Sequence, residues 1–129
     1  MSDITESNSI IGKKSYLFAL EIIAIYKILI AHKKEFVLSK QLLRCGTSIG
    51  ANVHEALGSE SKRDFIHKLS IALKEAKETS YWVHLLKDSD YISIQQFDGL
   101  NNNCKELIKI LSSIILTMKQ KYFPTTLNL

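Results

Sequence analysis

LSKQLLRCGTSIGANVHEAL, residues 38–57, is the stretch of this chain that decides its fold. At about 100° per residue, one set of apolar residues falls within a sector of about 100°, the width of a buried helix face. This set is Leu42, Ile49, Val53, Ala56 and Leu57. Polar residues fill a neighbouring sector of about 80°: Arg44, Ser48, Asn52 and Glu55. The stretch therefore predicts an amphipathic helix with a specific polar edge.

The polar edge mixes a guanidinium, a hydroxyl, an amide and a carboxylate, where a solvated face usually carries Lys and Glu. Such groups can satisfy one another or the hydrogen-bonding groups of a partner. Two interpretations follow. One is a structural seam between helices, and the other is a row that contacts a ligand or RNA. We call these four residues, together with Gln41, the polar row.

Residues 46–50 read Gly-Thr-Ser-Ile-Gly and match the G-x-S-x-G pattern of a hydrolase nucleophile elbow. That elbow needs a strand, a strained turn and a helix within a large parallel sheet. Helical periodicity runs through the whole segment here, so we reject a catalytic serine. Gly46 and Gly50 lie one turn apart and instead predict a close approach by a neighbouring helix, at a propensity cost of about 1 kcal/mol each.

Length and composition bound the domain organisation. A chain of 129 residues with 46% hydrophobic content suits one domain with a real core. We expect a flexible segment over residues 1–12, a bundle over 13–123 and a tail over 124–129. The polar start does not resemble a secretory signal, so we expect a cytoplasmic protein. Cys45 and Cys104 lack metal-type spacing and read as buried thiols.

The coarse pattern predicts an all-α protein with four helices. The first, from about Lys14 to His32, is apolar nearly all round, yet it is too interrupted by charge for a membrane span. A helix that is apolar on both sides of so small a domain implies burial against a second subunit. Short loops favour antiparallel neighbours, hence an up-down-up-down bundle. We therefore expect a homo-oligomer that does not enter a membrane.

Capping signals set the helix starts. Ser39 is expected to cap the second helix, and Gly58 to terminate it. Ser61 with Asp64 predicts the start of the third helix, and Ser93 with Gln96 the start of the fourth, which runs to about Tyr122. The third helix also carries a stripe away from its core side that favours a subunit interface: Ile71, Glu75, Glu78, Trp82 and Leu85.

With the polar row and Phe65 and Leu69 in place, the chain resembles the four-helix-bundle proteins encoded in intervening sequences of bacterial 23S ribosomal RNA genes. The match continues through Ala72, Glu75 and Glu78. The resemblance implies a small homo-oligomer, a pentamer. The chain is also similar to the accessory proteins of diversity-generating retroelements, which are basic pentamers associated with a reverse transcriptase and nucleic acid. This chain departs from them in charge, since its net charge is only +4.

Three functions remain open. The first is a non-enzymatic oligomeric scaffold that binds RNA or another nucleic acid, because several copies multiply a modest charge. Its candidate contacts are exposed bases outside the apolar stripes: Lys13, Lys14, Lys33, Lys34, Lys40, Lys62, Arg63, Lys105, Lys109, Lys119 and Lys121.

The second function is a metal-dependent enzyme, which the spacing argues against because no Glu has a His three residues later. Asp64 and His67 come nearest, and Asp64 belongs to a helix cap. We therefore expect no catalytic residue, metal or cofactor.

The third function is a structural or protein-binding oligomer without nucleic-acid affinity. In it the polar row, Glu75 and Glu78 specify assembly through a buried charge network around Arg44. Removing Arg44 from such a network would cost about 3 kcal/mol or more.

Overall fold

The protein consists of four α-helices in a computed structural model that describes residues 2–124, with side chains from residue 8 onward. The helices are α1 (Ser2–Ala31), α2 (Leu38–Leu57), α3 (Lys62–Asp88) and α4 (Ile94–Tyr122). No strand occurs in this part of the chain. The all-α class and the four helices are thus confirmed, while most of the expected tail, residues 125–129, lies outside the described residues.

Helix α1 begins at Ser2, twelve residues before the expected start near Lys14. The expectation missed that Ile11 continues the apolar stripe one turn back from Ser15 and Phe18. Ile11 is fully buried, as are Phe18, Ile22 and Leu29 on the same face. Ile11 therefore extends the core one turn before the expected start of the bundle. Whether residues 1–12 are flexible stays a prediction.

The connection between α1 and α2 is held by Glu35, a buried carboxylate. It accepts hydrogen bonds from the backbone N–H groups of Val37 (2.9 Å), Leu38 (3.0 Å) and Ser39 (2.8 Å). The Ser39 hydroxyl donates to the Glu35 carbonyl oxygen at 2.7 Å. The expectation that Ser39 caps α2 is wrong, because Glu35 already satisfies the free amides of the first turn.

Helices α1 and α2 approach closely at two glycines, as the sequence predicts. A Cβ atom on Gly46 would lie 2.7 Å from Ile22 Cγ1, and one on Gly50 would lie 3.3 Å from the backbone oxygen of Ser15. Ile22 is fully buried and branched at Cβ, so it has little room to move. The absence of side chains at these positions is what allows the contact.

The predicted caps at the starts of α3 and α4 are confirmed. Asp64 N–H donates to Ser61 Oγ at 3.0 Å. Gln96 N–H donates to Ser93 Oγ at 3.0 Å, and Ser93 N–H donates to Gln96 Oε1 at 2.8 Å, which completes a capping box. Gly58 follows the last residue of α2 with φ −94°, so it ends the helix without a left-handed conformation.

The core lies along the middle of the four helices, and each helix contacts two others: α1 with α2 and α4, α3 with α2 and α4. Between α1 and α4, Lys14 pairs with Glu106 at 2.9 Å, and Asn103 donates to Glu21 at 2.7 Å. Apolar residues that recur at three- and four-residue steps in α3 and α4 supply their part of this core, and among them Leu73 and Ile108 are only half-buried.

The side of α1 away from this core carries large apolar side chains, with the exposed Lys13 and Lys27 among them. Five large side chains on it are more than a third exposed and lie within about 120° of the helix circumference. We call them the outer α1 face: Ile10, Tyr16, Leu17, Leu20 and Ile28. This arrangement is the double-sided helix that the sequence predicts.

Candidate functional site

The polar row of α2 meets the predicted acidic stripe of α3. Arg44 Nη1 lies 3.3 Å from Glu75 Oε2, and Arg44 Nη2 pairs with Glu78 at closer range. The indole N–H of Trp82 donates to the same Glu78 carboxylate at 3.3 Å. One guanidinium, two carboxylates and an indole therefore form a single cluster between the two helices.

This cluster is not the buried network that was expected. The Arg44 side chain is 52% exposed, Glu78 36% and Glu75 18%. Glu55 takes no part in it and pairs instead with Lys68 at 3.3 Å. These charged side chains lie at the edge of the bundle, where water reaches them. Each ion pair therefore contributes less than about 1 kcal/mol to the free energy of unfolding.

The charges nevertheless act on Arg44. Burial alone would lower the pKa of its guanidinium, but Glu78 and Glu75 outweigh that effect and raise the pKa above its ordinary value. Arg44 therefore stays cationic under all ordinary conditions. The cluster can hold two chain segments in register.

The rest of the polar row bonds within α2 or faces solvent. The Asn52 amide donates to the Ser48 carbonyl oxygen at 2.9 Å and to Ser48 Oγ at 3.1 Å. Gln41 is exposed at the start of the row. Ser48 thus lies mid-helix as a partner of Asn52, and residues 46–50 form no turn of the kind that a nucleophile elbow needs.

The predicted interface residues of α3 are less exposed than the outer α1 face. Ile71, Trp82 and Leu85 are all half-buried, and Trp82 packs against the core as well as bonding Glu78. Their role in an interface stays a prediction. The larger exposed apolar surface lies on α1, where Tyr16 is 64% and Leu17 50% exposed.

The candidate nucleic-acid contacts fall into separate places. Lys14 is occupied by Glu106. Lys33, Lys34 and Lys40 are exposed around the start of α2, and Lys13, Lys105 and Lys109 are exposed on α1 and α4.

The remaining four cations come together where α3 begins and α4 ends, beside two aromatic rings. We call this group the basic-aromatic end: Lys62, Arg63, Lys119, Lys121, Tyr122 and Phe123. Sequence reasoning named the cations but missed the rings, although their position directly after Lys121 was a readable signal.

The two cysteines are free thiols inside the bundle. Burial raises the pKa of Cys104 to about 12, and the neighbouring Cys45 adds to the rise. Burial likewise raises the pKa of Cys45. Both thiols are therefore protonated near neutral pH and are weak nucleophiles. Among the residues that the structure describes, no three His, Cys, Asp or Glu side chains are grouped so that they could hold a metal ion.

Membrane insertion can be tested on helix length and hydropathy. No described helix is long and apolar enough to cross a bilayer. That the chain is not an enzyme and has no cofactor stays a prediction.

Known proteins include bundles that are similar to this one. A protein with unknown function from the S23 ribosomal protein family of Bacteroides thetaiotaomicron, solved by crystallography, is similar over 84% of this chain and 97% of its own. The two share 50% sequence identity with a TM-score of 0.83. A search of curated proteins found no match. The family model described as 23S rRNA-intervening sequence protein matches residues 7–113. The predicted resemblance to proteins of 23S rRNA intervening sequences is thereby confirmed, and the chain belongs to the family of 23S rRNA-intervening sequence proteins.

Proposed function

We propose that the protein is a non-enzymatic, homo-oligomeric scaffold in which the outer α1 face lies against another copy of the chain. The observation that carries this proposal is the exposure of Leu17 (50%) and Leu20 (48%) in the middle of one helix face. Soluble monomers rarely expose large contiguous apolar patches, and such patches commonly mark interfaces. Tyr16 adds an aromatic residue of the kind that interfaces favour.

The proposal includes the arrangement of the helices and the number of subunits. Contact pairs support an up-down-up-down bundle, because Gly46 meets Ile22 whereas Gly50 meets Ser15, so the two helices run in opposite directions. Arg44 with Glu75 and Glu55 with Lys68 follow the same opposite order for α2 and α3. We propose a pentamer on the strength of the family resemblance, in a reducing cytoplasm that suits two free cysteines.

Light scattering tests assembly with a matched pair of variants. Leu17 and Leu116 have the same side chain and the same 50% exposure, but Leu116 lies on α4, away from the outer α1 face. We expect the wild type to have a mass near five times that of the 14.7 kDa chain. Leu17→Glu should dissociate it, and Leu116→Glu should not. A wild type that remains a single chain at all concentrations would contradict the proposal.

We further propose that the oligomer binds nucleic acid through its basic surface. The gathering of Lys62, Arg63, Lys119 and Lys121 at one end supports this function. Five copies at +4 each would also multiply a charge that is slight in one chain. Counterion release predicts that binding to RNA weakens steeply as salt rises.

The alternative is a structural or protein-binding oligomer without nucleic-acid affinity, and the small net charge of one chain favours it. A salt titration of RNA binding decides between the two. Affinity that falls steeply between low and physiological salt supports nucleic-acid binding. Affinity that is absent or independent of salt leaves the protein as an oligomer of the alternative kind.

A further inference from the structure

We infer that the basic-aromatic end is a binding site for single-stranded nucleic acid, with bases stacked on Tyr122 and Phe123 and phosphates held by the surrounding cations. This inference rests on the proposed nucleic-acid function, and it adds a location and a strand form to it. It selects four of the candidate cations and assigns a role to two aromatic residues that the candidate list lacked.

The geometry of this end places cations directly over aromatic rings. Lys62 Nζ lies 4.6 Å from the centroid of the Tyr122 ring, and Lys121 Nζ lies 5.5 Å from it. Arg63 Cζ lies 5.1 Å from the centroid of the Phe123 ring. Arg63, Lys119 and Phe123, with Ile66, also line a cavity of about 170 Å³. Charge and aromatic surface therefore occupy the same small area.

These cations differ from the paired ones elsewhere in the described part of the chain. Lys14, Arg44, Lys68 and Lys87 each face a carboxylate within 4 Å, whereas none of Lys62, Arg63, Lys119 and Lys121 does so among residues 8–124. The acidic residues nearest in sequence are Glu60 and Asp64, and both are exposed. Cations held by rings rather than by carboxylates keep their positive charge available to a phosphate.

Two of the cations also occupy an unfavourable position for the helix itself. Lys62 and Arg63 lie in the first turn of α3 beside Asp64, and the helix dipole favours only the negative charge there. Local rules of this kind are broken mainly at functional sites. Lys119 and Lys121 lie in the last turn of α4, where cations are favoured, so the two helix ends together present positive charge in one direction.

The rings favour a single strand over a duplex. Bases in a single strand are free to stack on aromatic side chains, and proteins that bind such strands combine stacking with a positively charged surface. Bases in a duplex are already stacked on one another, so only its phosphates could contact this end. The lysine stems are long and flexible, so Lys62 and Lys121 can leave the Tyr122 ring for a phosphate as a base takes their place.

The experiment measures the affinity of the full-length protein for a short single-stranded RNA, the same sequence as single-stranded DNA, and the RNA as a duplex. We expect both single strands to bind more tightly than the duplex at equal salt. Phe123→Leu keeps an apolar side chain but removes the ring, and it should weaken single-strand binding by about fivefold or more without affecting the duplex.

Charge is tested by a double variant and its matched control. Arg63→Gln with Lys119→Gln should reduce the slope of log affinity against log salt by about 1.4 for a single strand. Lys74→Gln with Lys77→Gln removes the same charge from exposed positions in the middle of α3, and it should retain the preference for single strands. Circular dichroism and light scattering confirm that each variant keeps its helices and its assembly.

The outcomes separate the two proposals. If the wild type binds no RNA at any salt, nucleic-acid binding and this site fail together. If it binds with a steep salt dependence but prefers the duplex, or if Phe123→Leu and the Arg63–Lys119 double variant bind like the wild type, only this site is overturned. Since Tyr122→Leu provides a second ring deletion, a folding defect in Phe123→Leu would not prevent the test.

Discussion

Helix α2 meets its two neighbours in different ways. Towards α1 it packs without a gap at Gly46, which lies against Ile22, and the turn before it is closed by Glu35 at 6% exposure, although a cavity of about 590 Å³ lies further along the same two helices. Towards α3 it contributes, outside the core, a charged cluster around Arg44 that is half open to water. The first contact depends on shape and desolvation and the second on screened charge. Substitutions should therefore cost far more on the α1 side.

The largest contrast is expected between two helix caps. Glu35→Ala removes the acceptor of three backbone N–H groups in a buried turn, so we expect a loss of about 2–3 kcal/mol in unfolding free energy. Ser61→Ala removes one acceptor at an exposed helix start and should cost about 1 kcal/mol. Urea denaturation at fixed protein concentration measures both. Equal losses would show that burial of the first cap adds nothing.

The stability of the protein at alkaline pH should depend on the buried thiol of Cys104. The pKa of Cys104 is about 12 in the folded protein, against about 8.5 for an exposed thiol. Below 8.5 both states keep the proton. Above it the unfolded state releases a proton that the folded state retains, so stability falls as pH rises towards 12. At about pH 10 the loss from this group is about 2 kcal/mol.

Cys104→Ala isolates that effect. The variant should lose less stability than the wild type between about pH 8 and pH 10, whatever its stability at neutral pH. Denaturation curves at the two pH values measure the difference. If both proteins lose stability equally, the Cys104 thiol titrates as an exposed one and its burial has been misjudged.

Substitution by alanine should have opposite effects on stability at a crowded glycine and at an open one. Gly46→Ala forces a Cβ against the Ile22 side chain, and overpacking of about 1–3 kcal/mol outweighs a gain in helix propensity of about 1 kcal/mol. A Cβ on Gly99 in α4 would meet nothing within 4 Å, so Gly99→Ala should stabilise the protein by about 1 kcal/mol. Thermal and urea unfolding should show opposite signs. Stabilisation by Gly46→Ala would mean that α1 and α2 adapt easily.

The smallest effect is expected at Arg44. Because its side chain is 52% exposed, Arg44→Ala should cost less than about 1 kcal/mol, and the cost should shrink at high salt. A double-mutant cycle with Glu78→Gln measures the pair directly. A loss near 3 kcal/mol together with a smaller assembly would contradict the exposed pair and place Arg44 inside a subunit interface.

The sequence predicted most of what depends on periodicity. The apolar stripe of α2 indicated its buried residues except Leu57, which is 42% exposed at the end of the helix. The Ser61 and Ser93 signals marked two helix starts, because spacing and capping chemistry are local properties. The glycine spacing also indicated a close helix contact. These features need no knowledge of which helix lies where.

The errors arose where a side chain's surroundings decide its role. Ser39 has the hydroxyl that caps a helix, and only the path of the turn shows that the Glu35 carboxylate reaches the amides of α2 instead. The position of Arg44 around α2 places it beside the apolar stripe, but that position does not tell whether a neighbouring helix covers it. Its exposure therefore could not be predicted from helical periodicity. The early start of α1 was missed because the mostly polar residues before Ile10 were interpreted as a flexible segment.

The Glu35 turn has a consequence for the order of folding. Its hydrogen bonds join residues no more than six positions apart, so this turn can form before any helices dock. The contacts between α1 and α4 join residues 92 and 82 positions apart and require the whole chain to close. We expect Glu35→Ala to slow refolding, and Lys14→Ala mainly to speed unfolding, in stopped-flow measurements.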